Sequence, residues 1–468
     1  MFTKKTKIVA TIGPVTSNEK VMTELVKAGL NVARLNFSHG DFAEHEPKVK
    51  IVRKVSDKLG MPVAILQDLG GPKIRIGEFD TESINLKPGQ TFTLTTDKIV
   101  GNDKKVYVNY PLLPKEVKVG GMILLHDGKK KLQITDIKGN DIICKVLVGG
   151  DMKARRGVNL PGAYLSISSI TEKDRKDLEF GIKHKVDFIA LSFVRRPADI
   201  TELRNILNKR KCDAKIIAKI ETPEALENID EIIRLADGVM VARGDLAIEI
   251  PAEDVPLAQK MMIRKCHEAG KPVITATQML ESMIKSPIPT RAEVSDVANA
   301  IFDGTDAIML SEETTLGDYP VESVAMMATI AKRIEPELDG GRFANDIDHG
   351  VTDIVSDAVV EAAYHAKAKF IVALTNSGFT ARMISRHRPS HNILALSPNA
   401  RPLNQLSLSY GVVPVVIPKF KNLDEVLKFV RTFALKYKIA SKGDAIVIAG
   451  GMPFAKAIGT NMMVIETI

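Results

Sequence analysis

Lys219 and Glu221 stand two positions apart in the run Ile216-Ile217-Ala218-Lys219-Ile220-Glu221. If that run is a strand, its side chains alternate and the two charged groups share a face. Unpaired charge is costly to bury, so a lysine and a glutamate inside an apolar run need a reason. Asp245, in Ala242-Arg243-Gly244-Asp245, supplies a second carboxylate. Two carboxylates, with open positions left for substrate oxygens, are a usual way to hold Mg2+. Arg34, Arg75, Arg243 and Lys219 could surround a phosphate. Phosphoryl transfer needs little covalent help and much charge neutralisation, which such cations and a metal provide. Gly244 would let its backbone N–H approach a phosphate or carboxylate closely. The competing reading is structural: a Lys219–Glu221 ion pair, with Asp245 capping a helix.

Such residues must be held by a scaffold, and the chain reads as alternating strands and helices. Strand-like runs lie at residues 7–12, 31–37 and 63–68. Five more follow at 186–192, 215–220, 238–242, 272–277 and 306–310, with helical patterns such as 198–209 and 223–235 between them. Between the two sets, residues 77–156 change character. Turn signals such as Lys87-Pro88-Gly89, Asp127-Gly128 and Gly139-Asn140-Asp141 separate short strand-like runs, which predicts a small all-β insertion. Eight βα units over ~250 residues indicate a TIM (β/α)8 barrel. A doubly wound sheet would want a glycine-rich loop after the first strand, and Ile12-Gly13-Pro14 lacks one. In a barrel the site lies at the C-terminal strand ends. Polar residues gather there: Arg34 to His39, Asp68, Ser192, Lys219 and Glu221, Arg243 to Asp245, Thr277-Gln278 and Ser311 to Glu313.

Residues 336–353 read as a polar linker containing Gly340-Gly341. Beyond it, a helix at 355–368 and strands at 370–374, 393–396, 412–416 and 445–449 form a separate small α/β unit. The expected architecture is α/β, in three parts. A discontinuous barrel spans 1–76 and 157–338, a β-barrel lid is inserted at 77–156, and a C-terminal α/β domain covers 339–468.

Composition narrows the function classes. The chain has 468 residues, a net charge of +8 and 45% hydrophobic residues, which is ordinary for a globular protein. Its positive charge is diffuse, with no arginine-rich arm or aromatic-interleaved basic stripe, so nucleic acid is a poor fit. No run approaches the ~20 apolar residues that span a bilayer, and no secretory signal is expected. Cys144, Cys212 and Cys266 are far apart, which fits buried thiols in a reducing compartment and argues against a zinc site.

The residues also carry a family resemblance. TKIVATIGP at 6–14, NVARLNFSHG at 31–40, RRGVNLPG at 155–162, IIAKIE at 216–221 and GVMVARGDLAIEIP at 238–251 resemble pyruvate kinases. So do KPVITATQMLESM at 271–283, PTRAEVSDVANAIFDGTDAIMLSEET at 289–314 and GDYP at 317–320. The resemblance covers nearly the whole chain. It implies phosphoryl transfer from phosphoenolpyruvate to ADP, the last ATP-forming step of glycolysis, with Mg2+ or Mn2+ as cofactor. It further implies a lid over the barrel, a C-terminal domain able to hold a regulator, a homotetramer, and a cytoplasmic enzyme.

By the same resemblance, Glu221 and Asp245 are the Mg2+ ligands and Lys219 stabilises the moving phosphoryl group. Arg34 contacts the phosphate and Arg75 lies near the nucleotide phosphates. Thr277 meets the substrate carboxylate, close to where the enolate is protonated. His39 lies on the nucleotide side, while Arg243 and Gly244 are assigned to the substrate site on their own chemistry. Asn36, Ser38, Asp68 and Leu69 form the monovalent-cation pocket.

Some residues depart from the family pattern. The loop after the third strand reads Asp68-Leu69-Gly70-Gly71-Pro72-Lys73-Ile74-Arg75-Ile76-Gly77, where potassium-dependent members have DTKGPEIRTG. A carboxylate position has become Lys73, as in the potassium-independent branch. The expectation is that the Lys73 ammonium takes the electrostatic role of K+ beside Asp68, so that K+ is not required. At ~4 Å and an effective dielectric near 20, one unit charge is worth about 4 kcal/mol before desolvation. The alternative leaves Lys73 in solvent and K+ in its pocket. His126 replaces a lid aspartate, Arg156 a lysine, and Glu312 adds a carboxylate near the site.

In the C-terminal unit, Thr375, Ser377, Gly378 and Thr380 could form a phosphate nest for a phosphorylated effector, or an ordinary helix cap. Two rival functions stand beside the kinase. One is a Mg2+-dependent lyase or aldolase acting on a pyruvate enolate, which needs no nucleotide. The other is a catalytically silent effector-binding protein.

Overall fold

A computed structural model describes residues 4–338, 350–420, 422–452 and 459–468. Eight parallel strands close a barrel, each beside its sequence neighbours, with the first pairing the eighth. They are Lys7–Thr11, Val32–Asn36, Ala64–Asp68, Phe188–Val194, Lys215–Ile220, Gly238–Ala242, Val273–Ala276 and Ala307–Leu310. Residues on a strand point alternately inward and outward, and the barrel therefore has two apolar clusters. Val9, Val32, Leu66, Phe188, Ile217, Met240, Ile274 and Met309 fill the interior. Ile8, Ala10, Ile65, Ile189, Ile216 and Val241 face the surrounding helices. The filled interior leaves chemistry to the strand ends.

The insertion leaves the barrel after the third strand. A six-stranded sheet runs in the order Val158–Asn159, Met122–Leu125, Lys130–Lys138, Asp141–Val148, Thr91–Thr95, Lys105–Tyr107. A two-stranded sheet pairs Gly150–Lys153 with Ser83–Leu86. Both share one core of their own, including Leu86, Phe92, Leu94, Ile123, Leu132 and Met152.

The C-terminal unit is a five-stranded sheet ordered Val412–Val416, Ile393–Ser397, Ile371–Leu374, Ala445–Gly450, Met462–Thr467. Its last strand is antiparallel and was absent from the sequence reading. The helix expected at 355–368 runs Val351–His365, so it begins inside the expected linker, whose residues 339–349 lie outside the described residues. The helical pattern of 223–235 is two helices, Pro223–Glu227 and Ile229–Leu235, broken at Asn228. Leu408 of this unit joins the barrel-interior cluster. Beneath the barrel, Arg388 makes two 2.8 Å bonds to Asp306 and lies over the Tyr410 ring.

Candidate active site

Asp68, at the end of the third strand, is 1% exposed and sits at the centre of a charged cluster. Arg34 Nε donates to its Oδ2 at 2.7 Å, and Lys219 Nζ lies 3.3 Å from its Oδ1. Arg34 also donates to Thr11 Oγ1 at 2.7 Å. Lys219 Nζ lies 2.9 Å from Glu221 Oε1 and donates to Ser192 Oγ at 2.6 Å. The shared face inferred from the two-residue spacing is therefore real, and it opens on the third strand.

The electrostatics follow from burial and pairing. Burial alone would raise the Asp68 carboxyl, but Lys219 and Arg34 outweigh it and hold it below its usual range. Burial opposes the Lys219 ammonium, yet Asp68 and Glu221 outweigh that and raise its pKa. Lys219 therefore stays charged throughout the physiological range. Glu221 is raised, chiefly by burial; Lys219 opposes the shift and Asp245 adds to it.

Glu221 Oε1 is buried with no hydrogen bond of good geometry, despite the nearby ammonium. Asp245 lies in the first turn of helix Arg243–Glu249, half-buried at the cleft. A buried carboxylate oxygen without a hydrogen bond, in the field of a second carboxylate, fits a divalent cation. Among the described residues no group of three His, Cys, Asp or Glu is placed to hold a metal. Mg2+ needs no such cage, because it keeps water and substrate oxygens as ligands.

Thr277 follows the seventh strand with φ +73°, and Gln278 follows it at +53°. Such backbone is strained for residues other than glycine and persists only where the surroundings impose it. Thr277 Oγ1 donates to Ala276 O at 2.6 Å and accepts from Gly244 N at 2.8 Å. Arg243 clamps this turn from outside. Its guanidinium donates to Ala276 O at 3.2 Å and Thr277 O at 2.7 Å, and pairs with both Asp296 oxygens at 2.7 Å. Arg243 was expected to face a phosphate, and that expectation is corrected: its donors are spent on the protein.

The remaining expected residues divide. Asn36 pairs in register with Asp68, and its Oδ1 accepts from Ser38 N at 3.1 Å. Ser38 and His39 are exposed beside it. Leu69 O accepts from Ser192 Oγ at 2.7 Å. Arg75 lies on the crossing into the lid, where Nη1 donates to Arg155 O at 3.0 Å, away from the Asp68 cluster. Lys73 is exposed and does not pair with Asp68, whose ion pairs are with Arg34 and Lys219. It borders instead a cleft of about 170 Å³ between lid and barrel, together with Asp127, Gly157, Phe193 and Asp245. Glu312 is exposed, while Glu313 is buried and accepts from Ser311 N at 2.7 Å and Leu280 N at 3.2 Å. His126 sits in a lid turn with φ +53°, its ring lowered by burial and by Arg156.

The residues of the expected effector nest lie at the N-terminus of helix Phe379–Ser385, where Gly378 is the cap residue with no side-chain cap bond. Thr375, Gly378 and Thr380 are buried, and the Thr380 hydroxyl accepts from Thr460 Oγ1 at 2.9 Å. Of the four, only Ser377 is exposed.

Ser192 and Phe193 carry no role in the sequence reading, although Phe193 N donates to Glu221 Oε2 at 2.7 Å. A serine ending a buried strand was the one available signal; a backbone N–H leaves none. Thr11 and Asp296 were missed for the same reason, because each acts through an arginine.

A closed parallel barrel with a charged cluster at its strand ends, under an inserted lid, has the architecture of an enzyme acting on a small anion. Comparison with known proteins makes this specific. Residues 3–324 match the pyruvate kinase barrel domain and residues 353–466 the pyruvate kinase alpha/beta domain. A pyruvate kinase of Clostridium perfringens is 44% identical, covering 99% of this chain and 100% of its own. One of Bacillus licheniformis is 46% identical over 99% of this chain and 80% of its own. The crystal structure of a pyruvate kinase from Cryptosporidium parvum superposes with a TM-score of 0.95 at 38% identity, covering 99% of this chain and 96% of that one. The chain belongs to the pyruvate kinase family of phosphotransferases.

Proposed function

We propose that the charged cluster around Lys219 carries the family reaction, in which phosphoenolpyruvate phosphorylates ADP to give ATP and pyruvate. The observation that carries this reading is the Lys219 ammonium, 2.9 Å from Glu221 and 3.3 Å from Asp68 at the barrel's catalytic end. An oxygen of the ADP β-phosphate attacks phosphorus, and the bond from phosphorus to the enol oxygen breaks. The enolate left behind takes a proton on its methylene carbon. Lys219 and Arg34 neutralise the phosphoryl oxygens during transfer. Gly244 N and the Thr277 hydroxyl, which here bond Thr277 Oγ1 and Ala276 O, would turn to the substrate carboxylate on binding, and Arg75 and His39 face the nucleotide. Glu221 and Asp245 would hold Mg2+, or Mn2+, which supplies Lewis-acid charge to the phosphoryl and enolate oxygens. The lid excludes water that would otherwise hydrolyse the phosphoryl donor. ADP-dependent release of pyruvate tests the reading and separates it from a lyase.

The enzyme runs without K+ in this account. Asp68 is already matched by two cations, and Lys73 brings a third positive charge to the cleft wall beside Asp127 and Asp245. Its charge acts from that wall, not from contact with Asp68. The three-part division is supported by separate apolar clusters, but the lid reaches past the expected 77–156, because Ile74, Ile76, Val158 and Leu160 pack into its core. Assembly into a homotetramer is supported by the edge strand Met462–Thr467, whose outer side has no partner strand among the described residues, with Met463 and Ile465 exposed beside Val351, Ile354 and Tyr364 of a neighbouring helix. Among the described residues no helix is long and apolar enough to cross a membrane. A cytoplasmic setting fits three free cysteines, two of them buried.

A further inference from the structure

The fourth barrel strand does not pair evenly with the fifth. Phe188 to Leu191 face Lys215 to Ala218 in step, but the next partner of Ile220 is Val194. One extra residue is therefore accommodated around Ser192 and Phe193, as in a β-bulge, which re-aims side chains and terminates regular pairing. Phe193 takes φ +53° there, a costly conformation for an aromatic residue.

The bulge turns two groups toward the charged cluster. Ser192 Oγ accepts from Lys219 Nζ at 2.6 Å and donates to Leu69 O at 2.7 Å. A hydroxyl has one proton and two lone pairs, so it can satisfy both partners at once. Phe193 N donates to Glu221 Oε2 at 2.7 Å, leaving Oε1 to the Lys219 ammonium at 2.9 Å. One residue thus fixes the ammonium and the next fixes the carboxylate.

Both crossings between barrel and lid also end on this bulge. On the outgoing crossing, Gly71 packs so closely that a Cβ would lie 2.9 Å from the Phe193 ring and 3.0 Å from Ser192 Cβ. On the returning crossing, buried Ser169 donates through Oγ to Phe193 O at 2.9 Å.

We infer that Ser192 and Phe193 are positioning residues for phosphoryl transfer: Ser192 aims the Lys219 ammonium, the Phe193 amide aims Glu221 at the divalent cation, and lid position reaches both through Gly71 and Ser169. The inference rests on the roles proposed above for Lys219 and Glu221. Outer-shell partners of this kind are typically worth about 10–100-fold in activity or metal affinity.

The test uses the full chain, steady-state kinetics and Mn2+ binding followed by electron paramagnetic resonance. Ser192→Ala lowers kcat about 10-fold or more, with the phosphoenolpyruvate KM and the Mn2+ Kd near wild type. Phe193→Gly keeps the N–H but frees its direction, and raises the Mn2+ Kd about 10-fold. Should either variant fail to fold, Gly71→Ala, which presses a methyl group onto the Phe193 ring, must raise the Mn2+ Kd by a similar factor. A structural role alone would lower Tm and leave kcat and Mn2+ Kd unchanged, and that result overturns the inference. Lys219→Met serves as the reference. If it turns over normally, the proposed roles fail and the inference with them. If it is inactive while Ser192→Ala and Phe193→Gly behave as wild type, the inference alone fails.

Discussion

Lys219 places its ammonium 2.9 Å from Glu221 Oε1, and both side chains come from one strand edge two residues apart. In the proposed reaction that pair joins the phosphoryl-neutralising charge to a metal-binding carboxylate, and the period of two at the end of strand Lys215–Ile220 sets both on one face.

Removing a carboxylate should therefore show in metal demand before it shows in substrate binding. Glu221→Gln keeps the shape and removes the charge. It raises the Mg2+ concentration giving half-maximal rate about 10–100-fold, while Asp245→Asn acts in the same direction. Titrating Mg2+ at saturating phosphoenolpyruvate and ADP checks this; an unchanged Mg2+ requirement in both variants would remove them from the metal site.

Arg243 makes a different prediction because its donors are spent on Ala276 O, Thr277 O and Asp296. Arg243→Lys preserves the charge but loses the planar fork. The strained Thr277 turn then relaxes, and kcat falls about 10-fold or more. A phosphate-binding Arg243 would instead raise the phosphoenolpyruvate KM while leaving kcat unchanged, which contradicts the clamp.

Monovalent-cation dependence tests Lys73. The wild-type rate is expected to be equal in K+ and in a bulky inert cation at the same ionic strength. Lys73→Glu puts a carboxylate on the cleft wall and makes turnover K+-dependent. Turnover of the wild-type enzyme only in K+ would leave Lys73 a solvated loop residue.

Acid stability has its own signature. Burial, reinforced by Arg388, lowers the His267 ring to about 3, and burial with Arg386 lowers His387 to about 4. Both are below the unfolded value of 6.5, so below pH 6.5 the unfolded chain binds more protons than the folded one. Stability is therefore unaffected by these groups above pH 6.5 and lost as pH falls toward 4. Each histidine contributes about a tenfold loss in the folding constant per pH unit across that window. Denaturant titrations from pH 7 to 4 should show this slope, reduced in His387→Gln; an identical slope in that variant would contradict the assignment.

Much of this arrangement was legible because barrel strands are short apolar runs with fixed spacing and their polar ends announce the catalytic face. Lys219 and Glu221 could be paired from a period of two alone. The rest depended on contacts between distant segments. Arg243 and Arg34 are both arginines at strand ends, yet Asp296 on a later helix occupies one and Asp68 the other. Thr380 reads as a loop hydroxyl until Thr460, 80 residues away, is seen to bond it. The strand Met462–Thr467 was missed because none of its residues is fully buried and its place at the sheet edge depends on antiparallel pairing with Ala445–Gly450. The bulge at Ser192 and Phe193 leaves no trace in composition, since register belongs to a pair of strands.

The most direct test is pyruvate formation from phosphoenolpyruvate and Mg2+, with and without ADP, for the wild-type chain and for Lys219→Met. The wild type should release pyruvate only when ADP is present, in step with ATP, and the variant should lose about 10³-fold or more in kcat while still binding Mn2+. Pyruvate released without ADP, or full turnover in Lys219→Met, would contradict the account.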